Sequence, residues 1–132
     1  MGNGEGLASG SIEGRVALEN TNPGVTAKRY TFKCHRANDK IFPVNCLAFN
    51  PSAKDIFATG GADGSVCVWD QAEKKRLYSL EGFPTSVSSC EFSSDGSLLA
   101  VAVSYTFERG NIDHPPDQVH VFSHEREMRS AE

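Results

Sequence analysis

The sequence predicts an all-β fold built from tandem copies of one antiparallel unit a little over 40 residues long. Three observations point to it. Residues 7–18, LASGSIEGRVAL, run in step with 57–69, FATGGADGSVCVW, at an offset of 50: Ala8 falls on Ala58, Ser9 on Thr59, Gly10 on Gly60, Glu13 on Asp63, Gly14 on Gly64 and Val16 on Val66. Val44-x-x-x-x-Phe49 recurs as Val87-x-x-x-x-Phe92 at an offset of 43, each followed by a polar turn and a short apolar run. No stretch shows sustained helical periodicity. Self-similarity at a fixed period marks a repeat architecture, in which each unit buries its apolar faces against its neighbours.

Ten strands follow in order. Strands 6–10 and 15–19 are the early copy of 55–60 and 65–69, with Glu13-Gly14 in the turn where the later copy has Asp63-Gly64. Asn22-Pro23-Gly24 is a turn leading to strand 29–33, and Asn38-Asp39-Lys40 reads as an exposed loop. Strands 44–49 and 55–60 flank the polar turn NPSAKD. In 65–69 the period of a strand puts Val66 and Val68 on one face and Cys67 and Trp69 on the other. Asp63-Gly64 and Asp95-Gly96 suit tight turns, because Gly accepts positive φ and Asp hydrogen-bonds its own backbone. Strand 76–80 closes the middle unit, and 86–92 with 98–104 open the next. Residues 106–118 read as a long loop, since Pro115-Pro116 cannot lie inside a central strand, and 118–122 is the last strand. Residues 1–5 are expected to be a disordered start and 123–132 a solvated charged tail.

Composition narrows the function classes. The chain has 132 residues, about one domain's worth. No stretch approaches the roughly 20 apolar residues of a membrane-spanning helix, and no charged-then-apolar leader opens the chain. Four cysteines, Cys34, Cys46, Cys67 and Cys90, without a CxxC pair, predict reduced thiols in an intracellular protein. The net charge of −4 argues against a whole-surface attraction to nucleic acid or acidic membrane and leaves a local basic patch open.

The word Phe32-Lys33-Cys34-His35-Arg36 looks like chemistry, but a catalytic or metal reading lacks its parts. Adjacent Cys34 and His35 on a strand end point to opposite sides, and no second ligand pair with zinc-type spacing exists. A Cys34 nucleophile would need a base across space and an oxyanion hole. His114, His120 and His124 are the remaining imidazoles, and nothing in the sequence assembles them with it.

The unit resembles the WD repeat, four strands per propeller blade with Trp69-Asp70 ending the third. On that resemblance the fold is a partial WD40 β-propeller, about two and a half blades of a seven-bladed ring. Residues 44–80 form one complete blade, 6–33 three strands of the preceding one, and 86–122 a final blade lacking its outer strand. The first unit has Leu18-Glu19 in place of Trp-Asp and the third has Phe122-Ser123. Two and a half blades cannot close a ring, so the chain is expected to be the C-terminal part of a longer propeller or a truncated gene product. The repeat also implies a buried polar chain in each blade. Here it would join His35, Thr59, Asp63 and Trp69, with Cys34-His35 standing where Gly-His is usual.

Arg15 follows the Glu13-Gly14 turn and Lys33 ends the next strand. In a propeller the turn and the inter-blade loop share a face, so Arg15, Lys33 and Arg36 should converge. Cations at one rim can bind a phosphate through charge-assisted hydrogen bonds, or remain ordinary solvated charges.

Seven segments carry a closer resemblance: GSIEGRVALE, YTFKCHR, PVN, ATGGADGSVCVWD, KKRL, PTSVSS and AVAVSYTFERGNIDHPPD. Together they resemble the C-terminal blades of the budding-uninhibited-by-benzimidazoles family of mitotic spindle checkpoint WD-repeat proteins, from about Gly6 to Phe122. The sister messenger-RNA export family of the nuclear pore shares the IEGR and FKCHR words. The KKRL after Trp69-Asp70, the Pro84-Thr85-Ser86 turn and the HPPD before the last strand favour the checkpoint branch. The resemblance implies a non-enzymatic scaffold without cofactor or metal. Its partners would be checkpoint kinases bound through GLEBS-type peptides, a phosphorylated kinetochore scaffold met at Arg15 and Lys33, and a ubiquitin-ligase-inhibiting checkpoint complex. No membrane or nucleic-acid partner is implied. It would work in the nucleus and at the kinetochore, with a cytoplasmic pool.

Overall fold

A computed structural model of the chain describes residues 6–20, 30–33, 35–37, 40–107 and 110–130. Among the described residues, three antiparallel sheets of three or four strands stand in chain order. The first joins β1 (Gly6–Gly10), β2 (Arg15–Asn20) and β3 (Tyr30–Lys33). The second joins β6 (Val44–Phe49), β7 (Ile56–Gly61), β8 (Val66–Asp70) and β9 (Lys75–Leu80). The third joins β10 (Val87–Phe92), β11 (Leu98–Val103) and β12 (Gln118–Ser123). Within each sheet every strand pairs with the next in sequence, as a meander requires, and the arrangement follows the expected all-β repeat.

The 50-residue offset is visible in the backbone. Ser11 N–H donates to the Arg15 carbonyl at 3.0 Å and Gly14 N–H to that of Ser11 at 3.3 Å. Fifty positions on, Gly61 N–H donates to Ser65 at 3.1 Å and Gly64 N–H to Gly61 at 3.2 Å. Gly14 and Gly64 both have φ in the left-handed region, 69° and 76°, where a Cβ is disfavoured. One local sequence solution thus makes the same turn twice.

The core is divided between two seams. Val16, Leu18, Phe57, Cys67 and Trp69 pack between the first and second sheets. Ala58, Val66, Val68, Val87, Phe92, Leu99 and Val101 are among those packed between the second and third. Strand β8 therefore serves both, with Val66 and Val68 facing one seam and Cys67 and Trp69 the other. Both faces are buried, which is why VCVW is apolar throughout rather than alternating with charge. Polar contacts cross the second seam as well: Asn45 Nδ2 donates to the Val87 carbonyl at 3.0 Å and Asn50 Nδ2 to that of Gly96 at 3.2 Å.

Two features depart from the sequence reading. A small hairpin, β4 (Arg36–Ala37) with β5 (Lys40–Ile41), occupies the connection expected to be plain loop; Asn38 and Asp39 lie outside the described residues. The expected solvated tail is corrected at α1 (His124–Ser130), a seven-residue helix. Ser123 caps it, its hydroxyl accepting from Arg126 N–H at 3.3 Å. Glu125 and Glu127 in its first turn and Arg129 in its last match the helix dipole. Met128 packs against the second seam, and Tyr78 Oη shares a hydrogen bond with His124 Nδ1 at 2.7 Å, so the helix is docked rather than loose. The expected start, residues 1–5, lies outside the described residues.

Candidate binding rim and blade network

The polar chain starts from backbone geometry. His35 has φ of 53°, an unusual conformation for a non-glycine residue, and is 3% exposed. This places its ring over Gly61, where an added Cβ would collide with His35 Cγ and Nδ1. The ring then meets three side chains of the second sheet. Nδ1 lies 2.9 Å from Asp63 Oδ1 and 3.1 Å from Ser65 Oγ, and Nε2 lies 2.9 Å from Thr59 Oγ1. Trp69 Nε1–H donates to the same Thr59 hydroxyl at 3.2 Å, and Ser65 Oγ–H donates to Asp63 Oδ2 at 2.8 Å.

One proton assignment satisfies the whole set. The indole donates to Thr59, Thr59 donates to His35 Nε2, and His35 Nδ1–H donates to the Asp63 carboxylate. Among the described residues no buried side-chain nitrogen or oxygen is left without a hydrogen bond. Burial works against the Asp63 charge, but the hydrogen bond from His35, with the bonds from Ser65, outweighs it and holds the carboxyl below its ordinary value.

The structure thus brings His35, Thr59, Asp63 and Trp69 together and adds Ser65, which the sequence reading had not included. Both His35 nitrogens are engaged, so the ring is a tie between strands and not a free base or ligand. Cys34 lies outside the described residues. No cluster of three or more His, Cys, Asp or Glu side chains among the described residues could hold a metal ion.

The rim lies at the same end as the turns. Val44 N–H donates to the Ser11 carbonyl at 2.9 Å, and Ala62 N–H to that of Pro43 at 3.0 Å, tying the first turn to the second. Arg15 begins β2 as the first turn ends, and its register partner on β3 is Lys33. The Arg15 side chain is 46% exposed, with Nη1 3.9 Å from Glu13 Oε2. A pair so long and exposed contributes little. The side chains of Lys33 and Arg36 lie outside the described residues.

Beside the second turn a cleft of about 540 Å³ opens, walled by Pro43, Gly64, Phe83, Thr85, Tyr105 and His114. Tyr105 and His114 stack with ring centroids 5.0 Å apart, and Phe107 lies 5.0 Å from Tyr105. Tyr105 Oη donates to the Gly110 carbonyl at 2.9 Å, which folds the long loop over this aromatic group. Phe107 itself has φ of 60° and is 56% exposed. An aromatic wall of this size suits the apolar side chains of a peptide better than a small polar substrate.

Meandering sheets that share apolar seams, braced by a His–Thr–Asp–Trp chain and open at a loop-lined rim, define the blades of a β-propeller scaffold. Residues 27–70 and 74–106 match the family described as WD domain, G-beta repeat. The chain belongs to the WD-repeat family.

Particular relatives are similar over most of the chain. It is 52% identical over 124 residues to the mitotic checkpoint protein bub3 of Dictyostelium discoideum, covering 89% of this chain and 37% of that protein. It is 50% identical over 127 residues to the mitotic checkpoint protein BUB3.1 of Arabidopsis thaliana, covering 92% and 37%. It is 38% identical over 112 residues to the protein RAE1 of Arabidopsis thaliana, covering 85% and 32%. The chain therefore spans about a third of the length of these curated relatives.

Proposed function

We propose that the chain supplies blades of a WD-repeat scaffold of the mitotic spindle checkpoint, non-enzymatic, and that Arg15 and Lys33 read a phosphothreonine on a kinetochore scaffold. Checkpoint kinases would dock through GLEBS-type peptides, for which the aromatic cleft beside Tyr105 offers an apolar wall, and the assembly would join a ubiquitin-ligase-inhibiting complex in the nucleus and at the kinetochore. Identity near 50% to two mitotic checkpoint proteins supports the checkpoint part.

One observation carries the phosphate part. Arg15 and Lys33 are direct register partners on antiparallel strands. Positions so paired have Cβ atoms about 4.5–5.5 Å apart, and like charges there repel. An anion between them turns that repulsion into attraction. A phosphate near −2 with three acceptor oxygens does this best, and an unmodified threonine not at all.

Titration of a phosphothreonine peptide against its plain form tests the reading. Arg15→Ala and Lys33→Ala should each weaken the phosphopeptide roughly 10- to 100-fold, the loss of one charge-assisted bond, with an unchanged melting temperature. Equal affinity for both peptides would overturn it. The competing role, a messenger-RNA export adaptor, is supported by the likeness to the mRNA export factor of Xenopus tropicalis, 37% identical over 121 residues. Partners captured from mitotic cells separate the two: checkpoint kinases in one case, nuclear-pore proteins in the other.

A further inference from the structure

We propose that Cys46 and Cys90 form a redox-modification site, a reversible disulfide that locks the second sheet to the third. Cys46 lies on β6 and Cys90 on β10, strands that pack side by side across the second seam. Their sulfurs share a hydrogen bond at 3.1 Å. A disulfide spans about 2.05 Å, so closure needs a movement of only about 1 Å. Gly60 makes room, since a Cβ there would sit 2.5 Å from Cys46 Sγ.

The pair is asymmetric in the way the chemistry needs. The hydrogen bond with Cys90, opposed by burial and aided by the Gly60 backbone, holds the Cys46 thiol below its ordinary pKa. Its bond to Cys46, together with burial, drives the Cys90 thiol upward. Cys46 is partly exposed, and a groove of about 520 Å³ lined by Cys90, Leu47, Phe49 and Phe92 opens beside the pair. Cys67 is the contrast: it faces the other seam, is 5% exposed, and burial pushes its thiol up to about 11.

The oxidant is a hydroperoxide. The Cys46 thiolate attacks its distal oxygen, the O–O bond breaks, and an alcohol (or water) leaves as Cys46 becomes a sulfenic acid. Cys90 sulfur then attacks the Cys46 sulfur, water departs with the sulfenic oxygen, and the Cys90 proton is released to it. Two thiols and one hydroperoxide give one disulfide, one alcohol and one water. A small dithiol reverses the step by exchange.

Brief treatment of the purified protein with hydrogen peroxide, followed by thiol alkylation and peptide mass mapping, tests this. The expected product is a Cys46–Cys90 linked peptide pair, two hydrogens lighter than its halves and restored by dithiothreitol. Cys46→Ser should slow loss of the Cys90 thiol at least about tenfold, and Cys67→Ser should leave the linkage unchanged. Because a seam variant can fail to fold, the deciding comparison uses the unaltered protein: native treatment should give this one pair, and treatment in denaturant a mixture including Cys34 and Cys67. Full alkylation of both thiols after native treatment overturns the proposal, as does Cys46 ending as a sulfinic acid without joining Cys90.

Discussion

The Thr59 hydroxyl lies 2.9 Å from His35 Nε2, and through it a loop residue is joined to the indole of Trp69 on a strand of the next sheet. Thr59→Val keeps the shape and removes the hydroxyl that both ring nitrogens use. Its expected cost is about 1–3 kcal/mol, the penalty for buried polar groups that lose a partner. Urea unfolding should show this, and Thr59→Ser should recover most of it. A valine variant as stable as the parent would mean that the hydroxyl is dispensable.

Asp63 gives the network a pH signature. Its carboxyl is held below the ordinary value despite burial, so its contribution is present above the unfolded pKa, near 4, and fades as the pH falls from there toward the folded value. The stability gap between the parent and Asp63→Asn should be constant from pH 7 to 5 and shrink below about 4. Denaturation midpoints across that range measure it, and a gap that widens in acid would contradict the assignment. Asp95, fully exposed and held at about 2 by Ser93 and Ser97, titrates in both proteins and cancels from the difference.

Gly61 should be intolerant for a reason located in one side chain. An alanine Cβ would collide with the His35 ring and lie 2.8 Å from Asp63 Oδ1. Gly61→Ala is expected to cost about 1–3 kcal/mol, as overpacking does. The same substitution made in a His35→Ala background should cost much less, because the ring it strikes is gone. Additive losses in that double-mutant cycle would place the clash elsewhere.

The docked helix α1 has its own pH dependence. Burial holds His124 below its ordinary pKa, so the fold favours the neutral ring, hydrogen-bonded through Nδ1 to Tyr78 Oη. A depressed histidine contributes above its unfolded pKa, near 6.5, and that contribution is lost as the pH falls through the folded value. Hydrogen exchange of residues 124–130 should accelerate between pH 7.5 and 5, once corrected for intrinsic rates. His124→Gln should remove the pH dependence. Equal protection at both pH values would show that the ring does not hold the helix.

What could be read from the sequence was whatever local pattern dictates. The alternation at Val66, Cys67, Val68 and Trp69 needs only a strand's period, and both faces find the seams expected of them. The Glu13-Gly14 and Asp63-Gly64 turns need only a glycine with positive φ. The His35, Thr59, Asp63 and Trp69 set came from the repeat's resemblance, since nothing local joins positions 24 or more apart. Ser65 was invisible because a serine after a turn glycine reads as the start of a strand; its meaning arises only when His35 lands on it. Helix α1 was missed because seven residues are too few to display a helical period. The stack of Tyr105 on His114 depends on the closure of a long loop, which composition does not encode.

Strand β8 has a mechanical consequence. Its successive side chains belong alternately to different seams, so a displacement of Trp69 is carried to Val68 by a single rigid peptide unit. The strand behaves as a party wall: neither room can be remodelled without moving the other. Damage there should collapse both seams in one cooperative step, whereas damage in β1 or β12 should fray the array from one end.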